Sequence, residues 1–157
     1  MREKLRLALE ATDDEVQALG IQMNQVYLGS PAVVVEEGDT PPDFSALNFL
    51  KDVMVSTFPG YHLPHVWLAA DGQSERISSL DLAGHGAFTL FTGIGGGSWL
   101  KATEAISRRS GVQIKGYSIG FRCDYMDCYR EWIHLRGVGE TGAVLVRPDH
   151  FVAWRCK

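Results

Sequence analysis

Residues 87–119 constrain the fold more than any other stretch of the chain. Positions 87–92 form an apolar run of the length and composition of a buried strand. Gly93-Ile94-Gly95-Gly96-Gly97 then turns the chain, and Ser98 is placed to cap a helix over 99–110. Gly111 ends that helix, and 112–119 reads as a second strand. Two strands joined through a helix pair in parallel, with a right-handed crossover. A four- to six-residue hairpin cannot replace such a unit, so the sheet must be at least partly parallel.

The flanking segments add antiparallel pieces. Residues 65–70 and 75–82 read as two opening strands around an Asp71-Gly72 turn. Gly84-His85-Gly86 breaks the chain, and 127–135 reads as helical. Near the end, 143–146 and 151–154 flank Arg147-Pro148-Asp149-His150, a turn-compatible sequence that predicts a closing hairpin. The expected fold class is therefore α/β, a thioredoxin-like mixed sheet with flanking helices.

The N-terminal part has a different character. Residues 2–11 favour helix. Thr12 and Glu15 have capping-box spacing, which predicts a second helix carrying Val16, Leu19, Met23 and Val26 to about Tyr27. Gly29 and Pro31 stop it, and 32–35 is a short β-branched run. A polar loop with Pro41 and Pro42 follows, and 48–58 fits either a strand or irregular structure. The expected division is a helical segment 1–30, a connector 31–58 and a body 59–157.

Composition excludes several function classes. The 157 residues suit one domain with a short extra segment, and 45% hydrophobic and 22% charged residues are ordinary for a globular chain. A net charge of −4 leaves no broad basic footprint for nucleic acid. No apolar run approaches the ~20 residues that cross a bilayer. Residues 1–9 lack the apolar core of a signal peptide. The three cysteines are an odd number, and four residues separate Cys123 from Cys128, so neither a disulfide framework nor a C-x-x-C motif is present. A reducing, cytoplasmic setting is the simpler expectation.

Candidate chemistry is sparse. The glycine turn could cradle a phosphate at a helix N-terminus. In a dinucleotide fingerprint, however, the third glycine position would be Ser98, and 113–117 contains no acidic partner. A thioredoxin fold carries its redox pair at this turn, yet 93–99 contains no cysteine, so thiol exchange is excluded there. His62, His65, His85, His134 and His150 with Cys123 and Cys128 invite a zinc site, but only His62 and His65 are closely spaced. His65 is expected instead to hydrogen-bond at a strand start. Asp81, Arg147, Asp149 and Arg155 are expected to form charge-assisted pairs that fix the sheet and hairpin. Trp67, Trp99, Trp132 and Trp154 are expected as core or interface anchors.

Three segments together carry a family resemblance. They are Pro59-Gly60-Tyr61-His62-Leu63-Pro64-His65-Val66-Trp67-Leu68, then Ser79-Leu80-Asp81-Leu82-Ala83-Gly84, then Gly142-Ala143-Val144-Leu145-Val146-Arg147-Pro148-Asp149-His150-Phe151-Val152-Ala153-Trp154-Arg155. This set resembles the C-terminal, thioredoxin-like domain of FAD-dependent aromatic-ring hydroxylases, the phenol and 2,4-dichlorophenol monooxygenase group. It covers about 19–155. The family pattern usually has a basic residue where this chain has His62, which leaves the role of that side chain open.

The resemblance implies a part of a larger enzyme. In such enzymes one domain binds FAD, a second shapes the substrate pocket, and the third has no redox role. NAD(P)H reduces the flavin, and a flavin hydroperoxide hydroxylates a phenolic ring. FAD and NAD(P)H thus belong to the parent enzyme, and this chain is expected to hold no catalytic, cofactor-binding or metal residues. Pro59, Gly60, Pro64, His65, Trp67, Asp81, Gly84, Arg147, Pro148, Asp149, Trp154 and Arg155 are expected to be structural. Residues 1–30 would be the last helices of the FAD and substrate module.

The implied partners are those domains and a second copy in a homodimer, with no nucleic acid and no membrane. A thioredoxin fold usually closes with a helix, which is not found after Arg155; either the member lacks it or the chain is an excised piece. The apolar stripe of Leu5, Leu9, Val16, Leu19, Met23 and Val26 is then expected to cover the sheet or a second copy. A stand-alone thioredoxin-like binding module without redox activity, or a small oxidoreductase using the turn or the cysteines, remain as alternatives.

Overall fold

A computed structural model of the chain describes residues 2–70 and 73–157; the expected turn at Asp71-Gly72 lies outside the described residues. In chain order the elements are α1 (Arg2–Val16), α2 (Leu19–Met23), β1 (Trp67–Ala70), β2 (Arg76–Ser78), α3 (Ser79–Leu82) and β3 (Phe88–Thr92). They continue with α4 (Gly97–Ser110), β4 (Ile114–Ser118), β5 (Tyr125–Asp127), α5 (Glu131–Leu135), β6 (Ala143–Val146) and β7 (Val152–Cys156).

The parallel unit forms as expected. β3 and β4 pair in parallel with Phe88 opposite Ile114, and α4 makes the crossover. Gly111 closes α4 in the left-handed region at φ 72°, its amide donating to the Ser107 carbonyl. β6 pairs antiparallel with β3, and β7 with β6, giving a mixed sheet of order β4-β3-β6-β7. This is the expected α/β class, a mixed sheet with flanking helices and preceding helices.

A second sheet was not foreseen. β1 lies between β2 and β5 in an antiparallel sheet of order β2-β1-β5. The return strand stops at Ser78, four residues early. There Ser78 Oγ accepts the Leu80 amide at 3.1 Å and Asp81 accepts the Ser78 amide at 3.1 Å, a capping box that starts α3. The helix expected over 127–135 shrinks to α5. Asp127 stays in β5 and its carboxylate accepts the amides of Glu131 and Ile133, both at 3.1 Å.

Alternation along the mixed sheet separates two faces, with a register shift opposite Leu145/Val146 that puts Val152 and Trp154 on opposite ones. Phe91, Val144, Val146 and Val152 enter the main core with Leu68 and Trp132, and the Phe91 and Trp132 rings meet edge-on at 5.5 Å. Leu90, Leu145 and Trp154 face α4, where Trp99 meets Trp154 at 5.4 Å. Trp67, in contrast, is on the surface.

The N-terminal helices depart from expectation. α1 runs straight through Thr12, whose hydroxyl donates back to the Ala8 carbonyl at 2.9 Å instead of capping a new helix. None of its residues is buried; Leu5 and Leu9 are each 61% exposed and Val16 78%. Among the described residues, the α1 part of the stripe therefore does not pack on the sheet. α2 ends at Met23, short of Tyr27, and only its Gly20 is buried, against the Phe49 carbonyl. Further on, the β-branched run does not form a strand, yet the Val34 amide donates to Ala153 at 2.8 Å and lies along the outer edge of β7.

Removing residues 1–16 should change the unfolding free energy by less than about 0.5 kcal/mol, because α1 buries no residue and its pairs from Asp13 and Asp14 to Lys51 are solvent-exposed. Phe91→Ala should cost about 3–5 kcal/mol by emptying the core beside Trp132. Urea unfolding of both variants measures this, and a truncation costing more than Phe91→Ala would place α1 in the core.

Candidate functional site

The three resemblance segments, distant in sequence, converge on the tip of the β6–β7 hairpin. His150 occupies that tip with φ 69°. Its carbonyl accepts the Leu63 amide at 2.7 Å, and the Gly60 amide donates to Val152 at 2.8 Å. On the other side its Nε2 donates to the Leu80 carbonyl at 3.1 Å, since a carbonyl oxygen can only accept. Gly84, at φ 74°, packs flat against the His150 ring, and a Cβ there would stand 2.5 Å from ring atoms Cε1 and Nε2. One histidine thus touches all three segments.

Two more histidines surround it. The His62 ring stacks on His150 at 5.9 Å, and His85 meets it edge-on at 6.0 Å. His62 Nδ1 donates to the Leu63 carbonyl at 2.9 Å. Burial pushes the pKa of His62 below its ordinary value, and the nearby His150 acts in the same direction. These rings were read from the sequence only as scattered metal candidates. Among the described residues, no set of three or more His, Cys, Asp or Glu side chains is arranged to hold a metal. The left-handed backbone at His150 had no sequence signal, because the position is not glycine.

The other signature residues go to separate places. His65 shares a hydrogen bond with Ser78 Oγ at 2.7 Å and stands edge-on to Trp67 at 4.8 Å. Trp67 is 38% exposed, with the Arg76 guanidinium 5.5 Å from its ring centre. Asp81 forms the capping box described above. Arg147 pairs with Asp149 at 2.5 Å and lies over the Tyr27 ring at 5.0 Å. Pro59 and Gly60 sit where Tyr27 donates to the Gly60 carbonyl at 2.9 Å. Pro64 contributes its carbonyl to Ser79 Oγ at 2.7 Å.

Arg155 has a partner that sequence reasoning missed. Its Nε and Nη2 grip the Asp39 carboxylate at 2.8 and 3.0 Å, and Lys157 adds a contact at 2.8 Å. The guanidinium also lies over the Phe58 ring at 5.1 Å. The Arg155 hydrogen bond, aided by Lys157, holds the Asp39 carboxyl down to about 2 against the opposing effect of burial. A separation of 116 positions leaves no local trace of such a pair.

The glycine turn is also filled from within. The Glu140 carboxylate accepts the Ile94 amide at 3.2 Å, and its carbonyl accepts the Gly95 amide at 3.0 Å. Arg136 contacts the same carboxylate at 2.7 Å and, as the largest influence, keeps its pKa low. A Cβ on Gly93 would stand 2.5 Å from Glu140 Oε2, and one on Gly96 would run into Thr92. α4 starts at Gly97 with Gly96 at the N-cap position and no side-chain cap, so the expected Ser98 cap does not form. The Ile94 and Gly95 amides, which a flavin or nicotinamide diphosphate would use, are engaged with Glu140, and its carboxylate would repel such an anion.

Gly84→Ala should cost roughly 2–4 kcal/mol, from left-handed strain plus the collision with His150. His150→Gly in the same chain should recover part of that loss, and thermal unfolding of the double-mutant cycle reads the coupling. Additive losses would show that the two positions do not touch.

The Asp39 clamp has a pH signature. A carboxyl lowered on folding contributes stability that is complete above about pH 4 and lost as the pH falls through about 2, worth about 2 kcal/mol here. Asp39→Asn should flatten that dependence in urea unfolding between pH 2 and about 5. An unchanged slope would remove Asp39 from the acid response.

Comparison with known proteins fits these observations. The chain is 44% identical to a 2,4-dichlorophenol 6-monooxygenase of Cupriavidus pinatubonensis over 158 aligned residues, covering 98% of this chain and 25% of that protein. It is 37% identical to a phenol 2-monooxygenase of a Pseudomonas species, covering 99% of this chain and 25% of that protein. Among solved structures, the flavin-dependent monooxygenase PieE in complex with FAD and substrate superposes with a TM-score of 0.84 at 37% identity, over 99% of this chain and 26% of that one. The chain thus spans about 25% of the length of the curated relatives it matches. Residues 56–157, which hold the hairpin joint and the carboxylate-paired Arg136, Arg147 and Arg155, match the family model described as aromatic-ring hydroxylase, C-terminal, and the chain belongs to that family.

Proposed function

We propose that this chain serves as the C-terminal domain of an FAD-dependent monooxygenase that hydroxylates phenolic compounds with NAD(P)H and O2. Its own part is structural and in assembly, without reacting groups. The observation that supports this most is the turn before α4: Glu140 engages the Ile94 and Gly95 amides where a diphosphate would need them, and no cysteine stands at that helix start. The flavin supplies the oxygen chemistry when bound to the rest of such an enzyme. This chain's residues hold shape: His150 ties three segments, and Arg155 ties the connector to the last strand.

In this reading, residues 1–30 belong with the preceding FAD and substrate domains, 31–58 is a connector, and 59–157 is the domain proper. A 15-residue helix with no buried residue is marginal in water, which supports a partner for α1. The proposed partners are those preceding domains and a second copy of the chain. Pro59, Gly60, Pro64, His65, Trp67, Asp81, Gly84, Arg147, Pro148, Asp149, Trp154 and Arg155 are proposed as structural residues of the domain.

The purified chain should carry no flavin absorbance and should not accelerate NADPH oxidation when phenol is added. A stoichiometric yellow flavin peak, or phenol-dependent turnover, would sink the proposal. Light scattering over a concentration series should reveal the dimer; a monomer at every concentration would remove the second copy from the partners.

A further inference from the structure

A short backbone ladder joins the hairpin tip to the segment that leads into β1. The Gly60 amide donates to the Val152 carbonyl at 2.8 Å, the Val152 amide to Tyr61 at 2.9 Å, and the Leu63 amide to His150 at 2.7 Å. His62 stands opposite Phe151 between these bonds. Each of the three partners that meet at the tip brings one imidazole. His62 lies on one side of the ladder, His150 on the other, and His85 in the turn after α3. The His62 and His150 rings stack at 5.9 Å, and His85 meets His150 at 6.0 Å.

Protonation changes this arrangement through charge alone. His62 Nδ1 already donates to the Leu63 carbonyl, and His150 Nε2 to the Leu80 carbonyl. A second proton on either ring breaks neither bond and adds a unit charge. Two such charges 5.9 Å apart, at an effective dielectric constant of about 40, repel by about a factor of ten in an equilibrium constant. The surrounding groups do not cancel the repulsion. Asp149 attracts a charged His62, but it is paired with Arg147, a cation of the same turn that lies over the Tyr27 ring. Asp81 is used by the Ser78 amide, and His65 by the Ser78 hydroxyl. Met23 and residues 53–55, which face His62 across a cavity, carry no charge.

The direction of the effect follows from burial. Burial, the largest influence, holds the pKa of His62 below its ordinary value, and His150 acts the same way against the Leu63 bond and Asp149. The stability contributed by the neutral ring is therefore complete above about pH 6.5 and is lost as the pH falls through the lower, folded value. The Asp39 response lies far below this, at about 2.

We propose that the histidine joint is an acid-sensitive latch: in mildly acid solution, charge on the His62 and His150 rings drives the two sides of the ladder apart and frees the hairpin tip. Release uncouples the segment before β1 from the mixed sheet, while β6 and β7 stay paired with each other. His85 adds a third like charge on the side of α3. The latch does not depend on whether the chain works inside a monooxygenase.

Amide hydrogen exchange of the full chain tests it, with the intrinsic pH dependence of exchange divided out. From about pH 7.5 to about 5.5 the protection factor of the Leu63 amide should fall at least about tenfold, while that of Phe91 in the central strand β3 stays within about threefold. In His62→Gln, which cannot take the charge, Leu63 should keep its protection at the lower pH. A constant Leu63 protection factor in the unaltered chain, a fall that only keeps step with Phe91, or a tenfold fall that persists in His62→Gln would each overturn the proposal. If His62→Gln does not fold, the comparison of Leu63 with Phe91 in the unaltered chain decides alone.

Discussion

The bond from the Leu63 amide to the His150 carbonyl joins the two sheets. Leu63 belongs to the segment that runs directly into β1, and His150 to the turn that connects β6 with β7. It acts with two further backbone links, the Val152 amide to the Tyr61 carbonyl at 2.9 Å and the Gly120 amide to the Tyr125 carbonyl at 2.9 Å. The hairpin tip must therefore hold a fixed place, and several features serve that need. Gly84 lets the His150 ring lie flat, the Leu80 carbonyl fixes its tautomer, and Arg147 pairs with Asp149 within the same turn. A peptide hydrogen bond is worth only about 1 kcal/mol net, so its effect depends on this surrounding geometry.

Much of the fold was legible because it is written in local patterns. The buried strand around Leu90 and Phe91, the left-handed stop at Gly111 and the Pro148-Asp149 turn each have a near-neighbour cause. The losses have causes of another kind. Thr12 had the spacing of a cap, yet the helix-favouring residues on both sides carried α1 through it and its hydroxyl bonded backwards. Tyr125 to Asp127 is too short to show a strand period, and β5 exists because β1 has an edge to receive it. The candidate site was half legible. Its residues were in the signature segments, but the histidine joint and the Asp39–Arg155 pair come from tertiary proximity that no spacing encodes.

Two carboxylates act as internal ligands. Glu140 takes the Ile94 and Gly95 amides in the turn before α4, and Asp39 fills the grip of Arg155. Each is paired with an arginine whose side chain is almost wholly buried, so loss of the acid would strand a cation in a poor solvent. The turn that resembles a cofactor cradle is thus an example of a general ambiguity. A glycine-rich helix entry reports only that an acceptor approaches the backbone closely, and here the acceptor is part of the same chain.

The Val34 amide, bonded to Ala153 along the outer side of β7, has a consequence for association. A bare strand margin is a template on which a foreign strand can add, and through it proteins polymerise or recruit extended peptides. Here residue 34 has taken a place on that margin. At Ala153, then, the sheet does not grow by backbone pairing, and a neighbour there must be recognised through side chains. Recognition of that sort is tunable one residue at a time, whereas a shared ladder accepts almost any extended sequence.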